Sequence, residues 1–169
     1  MKKYLLIASG LFVILFGAIQ LFLYLNRPSS VDELKIRAAK LPELRLTTLD
    51  GAPFQPKGDR SILLVYFNSE CDHCQRQVET LKKRIDLFKS CNVVLMSAEP
   101  VETVMAFRDK AGLAGIENLN LVHVEHSTIA GTFGLLSLPQ IFVYSKDGEL
   151  IDLFSGETNP EHIARLLSN

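Results

Sequence analysis

Apolar and polar residues recur along this chain with two different periods, which separate strands from helices. Residues 62–67 are apolar throughout, as expected of a strand buried on both faces of a sheet. Apolar side chains then recur at helical spacing at Val78, Leu81, Ile85 and Phe88. The pattern therefore predicts a central strand that leads into an amphipathic helix.

The other periodic segments predict strands and helices on both sides of this unit. A strand, a helix and a second apolar run at residues 93–96 follow one another, so we expect a parallel β-α-β unit with a right-handed crossover. The other predicted strands are residues 44–49, 119–124, 141–144 and 150–154, and the other predicted helices are residues 101–111, 127–133 and 160–167.

Residues 4–25 form an apolar stretch that contains no charged side chain and follows Lys2 and Lys3. The stretch is long enough for one membrane-spanning helix; a cleaved signal peptide is the alternative, but no A-x-A cleavage site follows it. With Lys2 and Lys3 in the cytoplasm, the rest of the chain lies on the extracytoplasmic (periplasmic) side. The predicted organisation is a membrane anchor at 1–25, a juxtamembrane linker with a short helix at 26–42, and a folded domain at 43–169.

The net charge of the chain limits the kinds of partner that it can bind. The 169 residues include 18 Lys and Arg against 19 Asp and Glu, a formal net charge of −1. Removing Lys2 and Lys3 makes the remainder more acidic. The chain therefore lacks the basic excess of a nucleic-acid-binding protein, and we expect no nucleic acid partner.

Cys71 and Cys74 occupy the junction between the central strand and the first helix. A thiol at a helix start meets unpaired backbone N–H groups and the positive end of the helix dipole, both of which favour the thiolate. Cys74 follows one turn later, close enough to attack a mixed disulfide at Cys71. We predict Cys71 as the nucleophile and Cys74 as the resolving cysteine. Among their neighbours, a protonated His73 would stabilise the thiolate, whereas Glu70 and Asp72 would oppose it.

The pair has two other interpretations. Zinc usually takes four ligands, and the chain has no second CxxC. A structural disulfide around so small a loop would constrain the unfolded chain very little. Redox chemistry is therefore favoured, and Cys91, at a helix-to-strand junction, is expected to be a small buried hydrophobic residue.

Pro139 precedes the predicted strand at 141–144, which continues through an Asp-Gly turn into a second strand. A strand, CxxC and helix, followed by a proline, a β-hairpin and a last helix, resemble the thioredoxin fold, an α/β fold in which helices flank a central mixed sheet. The N-terminal anchor and the segment 44–54 also resemble the membrane-anchored thiol-disulfide oxidoreductases of the TlpA/ResA-like group. Glu70, where that group often has Trp, is a departure from the family pattern, and so is Leu138 in place of Thr or Val.

The resemblance implies a cis peptide between Leu138 and Pro139 in a substrate groove, where the backbone of Leu138 pairs with a bound strand. It also implies an extracytoplasmic enzyme whose redox group is the Cys71–Cys74 disulfide, without a cofactor or metal. Expected partners are exported thiol or disulfide proteins, with apocytochromes among the candidates, and a membrane redox protein that restores the pair.

Two alternative functions use the same fold. A peroxiredoxin-like peroxide reductase shares the fold and the lead-in, but its P-x-x-x-[ST]-x-x-C signature is absent, since Leu64 and Asn68 stand at the conserved positions. A copper-binding chaperone would use both cysteines of the pair and a histidine such as His123, although such relatives have C-x-x-x-C spacing. Thiol-disulfide exchange is the leading hypothesis.

Overall fold

The computed structural model describes residues 15–22, 30–56, 58–134 and 137–168, in two compact units, 1–33 and 34–169. In the first unit, residues 15–22 are helical (α1), with exposed apolar side chains such as Phe16 and Phe22. Within the described residues, no helix combines the length and the apolar character that a membrane span requires. The predicted anchor at 4–25 lies mostly outside these residues.

In the described part of the chain, one mixed sheet contains seven strands: β1 Leu46–Thr48, β2 Pro53–Phe54, β3 Ser61–Tyr66, β4 Cys91–Ser97, β5 Leu119–Val124, β6 Gln140–Tyr144 and β7 Leu150–Ser155. Their order across the sheet is β2-β1-β5-β4-β3-β6-β7. The parallel pairs are β3 with β4 and β4 with β5, and the others are antiparallel. The predicted strands and the parallel β-α-β unit are thus confirmed.

The helices that cover both faces of this sheet are α2 Ser30–Arg37, α3 Asp72–Lys83, α4 Val101–Ala111, α5 His126–Phe133 and α6 Pro160–Leu167. They create two apolar clusters. Val65 of β3 packs with side chains from α3, α4 and α6 on one face, and Leu64 packs with side chains from α2 and α5 on the other. Alternate residues of a strand point to opposite faces, so a continuous apolar run fits a strand that is covered on both sides.

The first helix after the cysteines is shorter than its apolar stripe predicts. Helix α3 ends at Lys83, and Ile85–Phe88 form a separate 3₁₀ turn. Arg84 between them leaves helical geometry, with φ −117° and ψ 26°. Phe88 is nevertheless fully buried, so the break redirects the chain into β4 while keeping the apolar stripe on the core.

Helix α2 lies in the segment where the sequence indicates a linker. Leu34 is 2% exposed and Ala38 is completely buried, both within the cluster that contains Leu64. Lys35 pairs with Asp152 of β7 at 2.9 Å. Leu34 and Ala38 are therefore packed against the sheet.

Candidate active site

The strand-to-helix junction fixes the position of Cys71. This residue is the N-cap of α3 in an extended conformation, with φ −84° and ψ 116°, and no side chain caps the helix at this point. Its backbone N–H donates to the carbonyl of Asn68 at 3.2 Å, and its carbonyl accepts from Gln75 at 2.9 Å. Cys71 therefore stands directly before the first turn of α3, next to its unpaired backbone N–H groups and the positive end of the helix dipole.

Cys71 and Cys74 are free thiols in contrasting environments. Cys71 is partly exposed, whereas Cys74 is completely buried one helical turn later. The pKa of Cys74 is raised to about 12, mainly by burial; the interaction with Cys71 and the negative charge of Glu99 act in the same direction, and a hydrogen bond from the backbone of Asn68 opposes them. Cys74 is therefore a thiol at neutral pH and can donate its proton towards the sulfur of Cys71.

Glu99 is an acidic residue at this site that the sequence analysis did not identify. Its carboxylate accepts hydrogen bonds from the backbone N–H of Ser69 at 2.7 Å, the hydroxyl of Ser69 at 2.6 Å and the hydroxyl of Ser97 at 2.9 Å. Three donors therefore fix the position of this carboxylate. The carboxylate thus fixes the loop that precedes Cys71 and places a negative charge on the side of Cys74.

The three residues predicted to tune the thiol of Cys71 are all exposed. Glu70 and Asp72 are exposed, and the backbone N–H of Glu70 donates to the side chain of Asn68 at 2.9 Å. The Nδ1 atom of His73 contacts Glu157 at 2.5 Å and Arg76 at 2.8 Å. Their roles in tuning the pair remain predictions.

The Leu138–Pro139 peptide is cis, as the family resemblance implied. Leu138 is partly buried and packs against both apolar clusters. It also lines an open pocket of about 420 Å³ that reaches Asn68, Tyr66 and His126. Leu138 and the loop before Cys71 thus share one concave surface.

Cys91 and His123 lie away from the pair. Cys91 is 2% exposed in β4, where burial raises the pKa of its thiol to about 12, which confirms the expected buried cysteine. His123 lies in β5, paired in register with Thr47 and Ser97. Among the residues that the structure describes, no three His, Cys, Asp or Glu side chains are grouped so as to hold a metal ion, and the predicted copper set of two cysteines and His123 is not assembled.

Three residues of the site, Glu99, Arg76 and Glu157, carry no motif in the sequence. Glu99 follows β4 by two residues, at the carboxyl edge of the parallel strands where side chains of a site converge. This position after a predicted parallel strand could have identified Glu99 from the sequence. Glu157 is 84 residues from His73, and only the packing of the last helix brings the two together.

Comparisons with known proteins agree with this geometry. The model of the AhpC/TSA family matches residues 37–152. The thiol-disulfide oxidoreductase ResA of Bacillus thuringiensis (strain Al Hakam) is 23% identical over 164 residues, which cover 96% of this chain and 94% of the relative.

Solved structures show the same fold. StoA from Bacillus subtilis has a TM-score of 0.62 at 16% identity, over 76% of this chain and 98% of that one. A peroxiredoxin-like protein from Aquifex aeolicus has a TM-score of 0.65 at 13% identity, over 78% of this chain and 85% of that one. The fold is therefore thioredoxin-like. With a family match over well more than half of its length, the chain belongs to the AhpC/TSA family and is a thiol-disulfide oxidoreductase.

Proposed function

We propose that the protein exchanges disulfides with exported proteins through the Cys71–Cys74 pair. One observation carries this proposal: a partly exposed thiol lies at a helix N-terminus, and a completely buried thiol follows it one turn later. The sulfur of Cys71 is accessible to a partner, whereas the sulfur of Cys74 is shielded from it. This asymmetry suits a nucleophile and a resolving cysteine.

The exchange proceeds in two displacements. The thiolate of Cys71 attacks one sulfur of the partner's disulfide, which forms a mixed disulfide and releases the other sulfur as a thiolate. Cys74 then attacks the sulfur of Cys71 and expels the partner's remaining thiol. Two electrons and two protons pass to the partner, and a Cys71–Cys74 disulfide remains. The reverse sequence oxidises a dithiol partner.

The first displacement lowers the pKa of Cys74 before the second displacement takes place. Cys71 loses its negative charge once it is part of a mixed disulfide, so its hydrogen bond and its charge no longer raise the pKa of Cys74. Burial and Glu99 continue to raise this pKa, and the hydrogen bond from Asn68 continues to lower it. The pKa of Cys74 therefore falls when the attack by Cys74 is required.

The extracytoplasmic location is part of the proposal. It is supported by Lys2 and Lys3 in front of the uncharged stretch 4–25, and by the exposed apolar side chains of residues 15–22. Disulfides persist in exported compartments, where such an enzyme meets its substrates. A membrane redox protein would then restore the pair. An export-dependent reporter fused after Asn169 should be active; a silent reporter, or a mature protein that begins after residue 25, overturns the anchored topology.

Trapping of mixed disulfides tests the chemistry. Cys74→Ser removes the resolving attack, so partners should accumulate on Cys71 and appear on non-reducing gels, whereas Cys71→Ser should trap almost nothing. Cys91→Ser in both variants removes the third thiol. More trapping by Cys71→Ser reverses the two roles, and absence of trapping in both variants contradicts protein disulfide exchange. In that case, thiol-dependent consumption of hydrogen peroxide by the unmodified protein would favour the peroxide reductase.

A further inference from the structure

Three polar side chains meet beside the first turn of α3. His73 and Arg76 come from the helix, and Glu157 comes from the segment between β7 and α6. Arg76 contacts the carboxylate of Glu157 through Nη2 at 2.6 Å and through Nε at 3.0 and 3.2 Å. The guanidinium is thus bound to the carboxylate through two of its nitrogens, a geometry that fixes its orientation.

His73 shares the same carboxylate. Its Nδ1 atom lies 2.5 Å from Glu157 and 2.8 Å from Nη2 of Arg76. A ring nitrogen cannot donate to a carboxylate and accept from a guanidinium at the same time, so the contact that His73 makes depends on whether Nδ1 carries a proton. In both states Glu157 bonds directly to Arg76.

The segment that carries Glu157 is itself held on both sides. The N–H of Gly156 donates to the carbonyl of Pro139 at 2.7 Å. The N–H of Thr158 donates to the side-chain oxygen of Gln77 at 2.6 Å, and Gln77 is 1% exposed inside α3. Glu157 therefore occupies a fixed position between the cysteine helix and the segment of Pro139.

The cluster lies within electrostatic reach of Cys71. The pKa of Arg76 is raised first by its hydrogen bond to Glu157, and the negative charges of Glu157, Asp72 and Cys71 contribute in the same direction. His73 follows Cys71 by two residues. A cation on this side of the helix start opposes the carboxylates of Glu70 and Asp72, which flank the same cysteine.

We propose that Glu157 is a positioning residue for disulfide exchange, which holds Arg76 and His73 so that a cation lies beside the sulfur of Cys71. This inference rests on the proposed function, in which Cys71 is the attacking thiol. Glu157 acts through Arg76 and does not touch the partner. Its contribution is to favour the thiolate of Cys71 and so to speed the first displacement.

The direction in which one substitution changes the alkylation rate of Cys71 distinguishes this role from a direct charge effect. Glu157→Gln removes a negative charge, and by Coulomb's law alone this change would favour the thiolate and accelerate alkylation of Cys71. Loss of the placement of Arg76 predicts the opposite. In reduced Cys91→Ser protein below neutral pH, we expect Glu157→Gln to slow the reaction of Cys71 with iodoacetamide by about twofold to fivefold, the range of exposed ion pairs.

Substitutions of Arg76 test the same role a second time. Arg76→Gln should slow alkylation to a similar extent, and the double variant with Glu157→Gln should be no slower than Arg76→Gln alone, because Glu157 acts through the guanidinium. Arg76→Lys keeps a charge but not the two-nitrogen contact, so it should recover only part of the rate. Additive effects in the double variant would overturn the proposal.

A matched ion pair controls for a purely structural effect. Arg84 at the C-terminal end of α3 pairs with Glu161 of α6 at 3.1 Å, and the two side chains are about as exposed as those of Arg76 and Glu157. Glu161→Gln should leave alkylation unchanged. An equal decrease in Glu157→Gln and Glu161→Gln, or an unchanged or faster reaction in Glu157→Gln, overturns the positioning role.

A second assay measures the reduction of insulin disulfides by the parent protein. It distinguishes a failure of the proposed function from a failure of the role proposed for Glu157. A parent that does not exchange disulfides contradicts the proposed function, whereas the alkylation rates still decide the role of Glu157.

Discussion

Ser69 donates two hydrogen bonds to the carboxylate of Glu99, from its backbone N–H at 2.7 Å and its hydroxyl at 2.6 Å. The two residues are 30 positions apart, and their contact connects the end of β4 to the loop that leads to Cys71. The negative charge of Glu99 is thereby fixed on the side of the buried thiol. Its effect on that thiol can be measured.

We expect Glu99→Gln to lower the pKa of Cys74. Burial, the larger cause, remains, so the pKa should stay above its ordinary value of 9.0. The pH dependence of Cys74 alkylation, in protein carrying Cys71→Ser and Cys91→Ser, checks this. The pKa of Tyr66, raised by burial first and by Glu99 second, should fall in the same variant. Glu102→Gln in the first turn of α4 is the control; equal profiles for the two substitutions would contradict the assignment.

Cys91 should make the stability of the reduced protein depend on alkaline pH. Burial raises the pKa of this thiol from 9.0 to about 12, so the folded state retains a proton that the unfolded state releases. The stabilisation is complete below pH 9.0 and is lost as the pH rises towards about 12. Between pH 8 and 10, the free energy of unfolding should fall by about 1.4 kcal/mol more in the parent than in Cys91→Ala. Urea denaturation under reducing conditions measures this difference. An equal dependence of the free energy of unfolding on pH in the two proteins would exclude a buried, protonated Cys91.

Asn159→Ala should destabilise the protein by about 1 kcal/mol, the usual effect of losing an N-cap. The side chain of Asn159 accepts from the N–H of Glu161 at 2.7 Å and of His162 at 3.3 Å, at the start of α6. Thermal or urea denaturation measures the loss. Asn159→Asp keeps an acceptor and should restore most of the stability; a loss as large as that of the alanine variant would show that the cap is not responsible.

Leu81→Ala should cost about 2–5 kcal/mol, the range for truncating a buried leucine. Leu81 is completely buried on α3, in the same apolar cluster as Cys74 and Val78. Glu79→Ala, on the exposed face of the helix, should change the free energy of unfolding by no more than about 0.5 kcal/mol. Similar values for the two variants in urea denaturation would contradict the packing of this face of the helix against the sheet.

The order of strands and helices could be predicted from the sequence because each element has a local cause. The apolar run at β3 indicates a strand covered on both faces, and the apolar residues at helical spacing that follow indicate α3. Asn159 and Pro160 mark the start of α6, where the structure places both. Turn and capping residues act within a few positions, so a linear pattern contains the relevant information.

The position of Cys71 and Cys74 at a strand-to-helix junction was predictable for the same reason, whereas their redox roles stay predictions. The burial of Cys74, and with it the raised pKa of its thiol, could not be predicted. Burial depends on the side chains of α3 that face the sheet and on the strands beneath them, and these come together only when the sheet is assembled.

The sequence by itself thus determined the order of the elements, the fold class and the position of the two cysteines between a strand and a helix. Only the tertiary structure placed Glu99 beside Ser69, and Glu157 beside His73 and Arg76. These contacts join residues 30, 84 and 81 positions apart, and neither carboxylate belongs to a periodic pattern or a motif. Electrostatic interactions act over a few ångströms in space whatever the separation along the chain, so the charges around Cys71 were decided by the packing of β4 and α6.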